Sequence, residues 1–286
     1  MKKKKKSGGA LRIVILVIAL LVFGFSAYKV AETLLDAKKT KEAVQALSDL
    51  AVEEVKEEDR EEEAPVTVLI EKKVTDPVTG ETKTVQTEEK IKRPLRIDFD
   101  LLKKQCSDIV GWIYCEDTVI NYPVVHAADN DRYLHMLPDG SYASGGTLFI
   151  DCENSPDLSD FNTIIFGHNM NNGSMFGTID LYKKQQYYDE HPVMYYYTPE
   201  KVYLVELVAG ISTDTMSFIY EGVRTEDEQK QFLKAAEYYS TFRSEFTLDP
   251  EAKYITMSTC SYETEIARYL LIGKLTEIEN FAEKTE

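Results

Sequence analysis

The pattern of apolar and polar positions opens on a charged tail and then loses charge altogether. Five lysines, Lys2 to Lys6, precede residues 13–27, an uncharged stretch rich in Ile, Leu and Val. A hydrocarbon core of about 30 Å requires roughly twenty helical residues. Arg12 and Lys29 flank the run where their stems can snorkel to the two interfaces, so residues 10–30 are predicted to span a membrane. Lysines on one side keep residues 1–9 in the cytoplasm and place the remainder outside. A cleaved signal peptide is the alternative, with Gly24 and Ser26 as small residues near the end of the run.

Beyond the apolar run the pattern becomes helical and charged. Residues 32–63 are dominated by Glu, Lys, Ala and Leu, with Leu34, Leu35, Val44, Leu47 and Val55 at loosely helical spacing, which predicts a stalk. The acidic run at 57–63 gives way to Ala64-Pro65, where a helix should stop. Residues 66–91 alternate around Thr75-Asp76-Pro77-Val78-Thr79-Gly80, a pattern shared by a β-hairpin and an extended linker. Residues 31–94 are thus an acidic stalk followed by a linker or hairpin.

A compact domain is predicted over residues 95–280, with a tail at 281–286. Residues 97–109 read as a short helix and 111–125 as two strands around Cys115-Glu116-Asp117. Strand-like runs follow at 146–151, 162–167, 193–197, 202–212, 253–259 and 266–275, with a turn at Thr198-Pro199-Glu200-Lys201. Residues 225–242 carry Phe232, Leu233, Ala236 and Tyr239 on one side and polar residues on the other, an amphipathic helix. Many short strands with few helices predict an antiparallel barrel or sandwich.

Composition narrows the function. Net charge is −16, and Lys2 to Lys6 with Arg12 supply six positive charges, leaving about −22 on the rest, which argues against nucleic acid as a partner. No phosphate-binding glycine loop or dinucleotide fingerprint occurs. The four cysteines, Cys106, Cys115, Cys152 and Cys260, contain no CxxC, so neither a zinc site nor a disulfide-dense scaffold is expected. Two disulfides are possible on count alone, unless Cys260 is a free nucleophile.

Cys260 ends the segment Tyr254-Ile255-Thr256-Met257-Ser258-Thr259-Cys260, in which a strand places Thr256, Ser258 and Cys260 on one face. A thiol in a polar row suits reactivity better than packing. If the chain turns over 262–266, antiparallel pairing sets Arg268 opposite Cys260, where a guanidinium could face a developing oxyanion. A surface arginine on a solvated strand face fits the same pattern. Of the four histidines, His168 follows the apolar strand Asn162-Thr163-Ile164-Ile165-Phe166 and lies in Gly167-His168-Asn169-Met170, where the glycine allows a turn that leaves the imidazole at the strand mouth. His126 reads as a solvated loop residue, His135 as part of a short helix, and His191 as a turn residue before Pro192. Cys260 as nucleophile, His168 as acid/base and Arg268 as oxyanion partner make an acyl-transfer set, with no carboxylate placed to orient the histidine.

These residues resemble sortases. Thr256-Met257-Ser258-Thr259-Cys260 is similar to the TLxTC signature with Met for Leu, Phe166-Gly167-His168-Asn169-Met170 to the catalytic-histidine segment, and Arg268 falls where the family keeps its essential arginine. The order His, Cys, Arg is the family's. Asp108-Ile109-Val110-Gly111-Trp112-Ile113, Tyr133-Leu134-His135, residues 169–176 and the helix at 225–242 resemble class B. The resemblance implies an eight-stranded closed β-barrel with peripheral helices behind an N-terminal anchor. It also implies a transpeptidase that cleaves a sorting motif after Thr through a Cys thioester and passes the acyl group to a cell-wall or pilin amine, without a metal or cofactor. Ser258, Asn130, Leu134 and Tyr220 match substrate-groove positions. A hydrolytic cysteine peptidase with the same triad and an anchored binding module without turnover are the competing functions.

Overall fold

The computed structural model describes residues 8–55, 66–76, 79–214, 219, 222–260 and 267–280, without the side chains of residues 8–11, 260, 279 and 280. The lysine run, the acidic run at 57–63 with Ala64-Pro65, Tyr220, the turn at 261–266 and the tail at 281–286 lie outside the described residues.

Helix α1 (Gly8–Ala51) is apolar and exposed over its first part, with Ile13, Leu16, Leu20 and Phe23 all more than half exposed. It is long and apolar enough to cross a membrane. Its other end behaves differently. Leu34 and Leu35 are exposed, whereas Thr40, Leu47 and Ala51 are buried against the globular part, so the predicted stalk is a packed element. The helix stops at Ala51, not at Ala64-Pro65. Residues Val52–Glu54 form β1, captured by β4 (Leu95–Ile97) in an antiparallel pair. Asp98 N–H donates to the Ala51 carbonyl and Val55 N–H to that of Pro94, at 2.8 Å each. Backbone groups that helix continuation would have used are satisfied by a strand edge.

Residues 66–91 form a hairpin, β2 (Val66–Thr75) and β3 (Thr82–Ile91), paired along ten positions. The turn is held by Asp76, which accepts from Thr79 N–H at 3.0 Å and Gly80 N–H at 2.9 Å, with Gly80 at φ +71°. Val68 and Ile70 are buried in the same apolar cluster as Leu95 and Leu102, so the packed unit extends back past residue 95.

The rest closes into an eight-stranded barrel of β5 (Ile109–Tyr114), β6 (Asn121–His126), β7 (Leu148–Ile150), β8 (Asn162–Phe166), β9 (Val193–Tyr197), β10 (Lys201–Asp214), β11 (Lys253–Cys260) and β12 (Ala267–Asn280), in the order β10-β12-β11-β8-β7-β6-β5-β9. Two neighbouring pairs, β11/β8 and β6/β7, are parallel, so the barrel is mixed where alternation alone predicted antiparallel pairing. One cluster takes alternate residues from all eight strands, among them Ile113, Val124, Ile150, Ile165, Met194, Val205, Ile255 and Leu271, and fills the interior. The intervening positions join the side chains of α2 (Phe99–Gln105) and α4 (Glu226–Tyr239) in an outer layer. α3 (Gln185–Glu190) precedes β9.

Candidate active site

The segment ending at Cys260 is paired on both sides. β11 runs parallel to β8, with Ser258 beside Phe166, and antiparallel to β12, with Cys260 opposite Arg268. On the face turned away from the barrel interior, the Thr256 hydroxyl donates to Asn162 Oδ1 at 2.7 Å. The Ser258 hydroxyl is buried with no partner among the described residues. A buried unpaired hydroxyl is uncommon, and this one lies two residues from the cysteine.

His168 begins where β8 ends. Gly167 N–H donates to the Ser258 carbonyl at 3.1 Å, and the Thr259 hydroxyl donates to the Gly167 carbonyl at 2.8 Å, fastening the histidine loop to the cysteine strand. The glycine is required here for space. A Cβ on Gly167 would lie 2.4 Å from Leu148 Cδ2 and 2.5 Å from Phe176 Cδ2, a closer approach than carbon atoms tolerate. The sequence pattern assigns Gly167 to a turn; its role in the fold is close packing.

The imidazole is oriented by a backbone carbonyl. His168 Nε2 lies 2.9 Å from the Leu134 oxygen; a carbonyl only accepts, so Nε2 carries the hydrogen and the neutral ring has its lone pair on Nδ1. This carbonyl does for His168 what an aspartate does in a Ser-His-Asp arrangement. Burial, with a smaller contribution from His135, holds the His168 pKa below its ordinary value of 6.5, while the Leu134 contact works in the opposite direction. The ring is therefore largely neutral at pH 7 and able to accept a proton.

A cavity of about 260 Å³ joins these parts: Asn130, Leu134, His168, Ser258 and Arg268 line it, with Thr147, Phe149 and Phe166 completing the wall. Arg268 is half-buried, and its Nη1 donates to the Ala267 carbonyl at 2.9 Å. Asn130 spends its amide on the loop beyond β7, donating to Asp151 Oδ1 at 3.2 Å and accepting from Cys152 N–H at 2.8 Å. Of the seven residues singled out from sequence, Asn130, Leu134, His168, Ser258 and Arg268 share the cavity. Cys260 stands opposite Arg268 by its backbone, and Tyr220 lies outside the described residues. Sequence reading missed the Leu134 carbonyl and the aromatic wall of Phe149 and Phe166. A main-chain acceptor has no side-chain signature, and apolar strand residues look like core.

Cys106, Cys115, Cys152 and His126 do not line this cavity. Cys106, Cys115 and Cys152 are all free, so the two-disulfide possibility does not hold. Burial pushes the Cys115 thiol up to about 11, away from thiolate chemistry. His126 is the last residue of β6, half-buried with Nε2 shielded from solvent, and not the solvated loop residue expected. His135 caps the 3-10 turn Arg132–Leu134.

No protein-family model matches the chain. A curated relative, sortase B of Listeria monocytogenes, is 32% identical over 214 residues, covering 72% of this chain and 87% of its own length. The crystal structure of Staphylococcus aureus sortase B superposes with a TM-score of 0.59 at 27% identity, over 63% of this chain and 87% of that one. The same enzyme in a substrate complex gives a TM-score of 0.59 at 27% identity, over 63% and 85% of the two chains. With its Cys–Arg strand pair and carbonyl-bound histidine on an eight-stranded barrel, and that identity across most of a curated relative, this chain belongs to the sortase B family of cysteine transpeptidases.

Proposed function

We propose that this transpeptidase cleaves a sorting motif after Thr near the C-terminus of secreted surface proteins, with Cys260 as nucleophile, and transfers the acyl group to a cell-wall or pilin amine. His168 Nδ1 takes the thiol proton as sulfur attacks the scissile carbonyl carbon. The resulting oxyanion is met by the Arg268 guanidinium. Collapse breaks the C–N bond, and the amine leaves with the proton from His168. The acceptor amine then attacks the thioester carbonyl, gives its proton to His168, and displaces the thiolate as the new amide forms. Asn130, Leu134 and Ser258 form the substrate groove, with the Ser258 hydroxyl available to substrate or to His168, and Tyr220 is assigned to substrate binding from the sequence resemblance alone.

The observation that carries this reading is the pairing of Cys260 with Arg268 beside the cavity that holds His168. The existence of a substrate complex of Staphylococcus aureus sortase B supports a substrate groove on the same barrel. Residues 10–30 of α1 anchor the enzyme in a single pass, with residues 1–9 cytoplasmic and the barrel outside; the exposed apolar row on α1 supports the anchor. The reading assigns residues 31–94 to the connection between anchor and barrel and 95–280 to catalysis.

Incubating the protein with a pentapeptide library and reading Cys260 by mass spectrometry tests nucleophile and motif together. A peptide-sized adduct on Cys260, resolved by triglycine into a ligated product, is expected. Free acid alone at every triglycine concentration would identify a hydrolytic peptidase, and no adduct with any peptide would favour a binding module.

A further inference from the structure

The acyl-transfer reaction uses Leu134 and leaves its neighbour His135 unassigned. The His135 ring lies on that of His168, with centroids 5.4 Å apart and planes 15° from parallel. Tyr142 approaches His135 at 5.8 Å. His135 Nδ1 lies 3.2 Å from the Ser144 carbonyl, so it carries a hydrogen and donates. Ser144 is itself held from α1: its N–H donates to Asp36 Oδ2 at 2.8 Å and its hydroxyl donates to the same oxygen. Three residues on, Lys39 donates to the Tyr142 carbonyl at 2.5 Å. The loop then closes at Gly146, whose φ is +54° and whose missing Cβ would lie 2.3 Å from the Tyr133 oxygen and 2.4 Å from that of Leu134. The carbonyl that orients His168 is thus tightly covered by the loop that α1 clasps.

We propose that His135 is a positioning residue for His168: anchored by Ser144, and through Ser144 by Asp36 of the helix leaving the apolar segment, its ring fixes the plane of the catalytic imidazole. The inference rests on His168 being the acid/base group. Asp36 lies six residues beyond residue 30, about 9 Å along a helix, so the catalytic histidine is braced by the part of the chain that emerges at the membrane surface. An imidazole held between a carbonyl at its edge and a second ring on its face cannot swing, which favours proton transfer along one direction. The titratable and charged groups packed around the pair are Asp131 and Arg268 in the cavity, Asp36 and Lys39 on α1, and Tyr142.

The test uses the full-length protein in detergent micelles with isotopically labelled histidine, comparing wild type with His135→Ala, His135→Phe and Asp36→Ala. His135→Ala is expected to shift the His168 ring resonances and raise its titration midpoint. With a peptide that the wild type joins to triglycine, it should lower kcat about tenfold and leave KM within twofold. His135→Phe, which keeps a flat ring in place, should retain at least half of kcat, and Asp36→Ala should move the His168 resonances in the same sense as His135→Ala. Unchanged His168 resonances in folded His135→Ala and Asp36→Ala, or failure of His135→Phe to rescue kcat, would overturn the proposal. The resonances report the contact whether or not Cys260 forms a thioester, so failure of the acyl-transfer reading is distinguishable from failure of this one.

Discussion

At the scale of single residues, the proposed chemistry depends on three groups whose surroundings differ. Cys260 ends a strand whose pairing continues through the preceding residues, so Cys260→Ala should abolish adduct formation by mass spectrometry and leave the melting temperature within a few degrees. Arg268→Lys should lower kcat/KM at least a hundredfold, because an ammonium cannot reproduce the planar fork that faces an oxyanion; a steady-state assay with the trapped peptide checks this. His168 has its pKa held below 6.5 by burial and then by His135. Its neutral, proton-accepting form is therefore present at pH 7 and lost as pH falls through the lowered value. The acidic limb of kcat/KM is accordingly expected below pH 6.5, and a limb centred above that value would contradict the burial of the ring. The positions of His168, just beyond a strand end, and of Arg268, opposite Cys260, were visible in the sequence. The Leu134 carbonyl was not, because its role comes from main-chain position and not from side-chain type.

Among the elements, those with strong local signals agree between sequence and structure. α4 begins at Thr225, whose hydroxyl accepts from Glu228 N–H at 3.3 Å while the Glu228 carboxylate accepts from Thr225 N–H at 2.8 Å. The spacing of Thr225 and Glu228 is itself the signal for such a start. Thr225→Ala should destabilise the protein by about 1 kcal/mol, measured as a shift in the denaturant midpoint. Helix α1 shows the opposite case. Its charged composition continues past residue 51, and a helix to residue 63 was the reasonable expectation. Pairing of Val52 with Ile97 across β1 and β4 ends it earlier, and a contact forty-five residues away leaves no local trace in propensity. For residues 66–91, alternation could not separate hairpin from linker. What decides for the hairpin is a place to dock: Lys73 N–H bonds the Glu245 carbonyl at 2.5 Å, and Ile70 is buried against the outer layer.

For the whole molecule, a buried ion pair sits in the barrel wall. Glu206 of β10 and Lys274 of β12 are cross-strand partners, nearly inaccessible to solvent, with Nζ and Oε2 2.8 Å apart; the Thr276 hydroxyl donates to the other Glu206 oxygen at 2.5 Å. Glu206→Ala leaves the Lys274 ammonium buried without its counter-ion and should cost about 3–5 kcal/mol. Replacing the pair together by Leu and Met should recover most of that loss in the same denaturation experiment, because the desolvation penalty disappears with both charges. A single variant of wild-type stability would show that the site is wetter than the packing implies. The sequence by itself determined the anchor-like apolar run, the placement of most strands, the pairing of Cys260 with Arg268 and the position of His168 just beyond a strand end, because these rest on period, turn residues and spacing between near neighbours. Tertiary structure alone decided the two parallel strand pairs, the early end of α1, the hairpin's docking and the group that orients His168. Each is set by distant segments meeting, and their pairing energies and excluded volumes exist only once the barrel has closed.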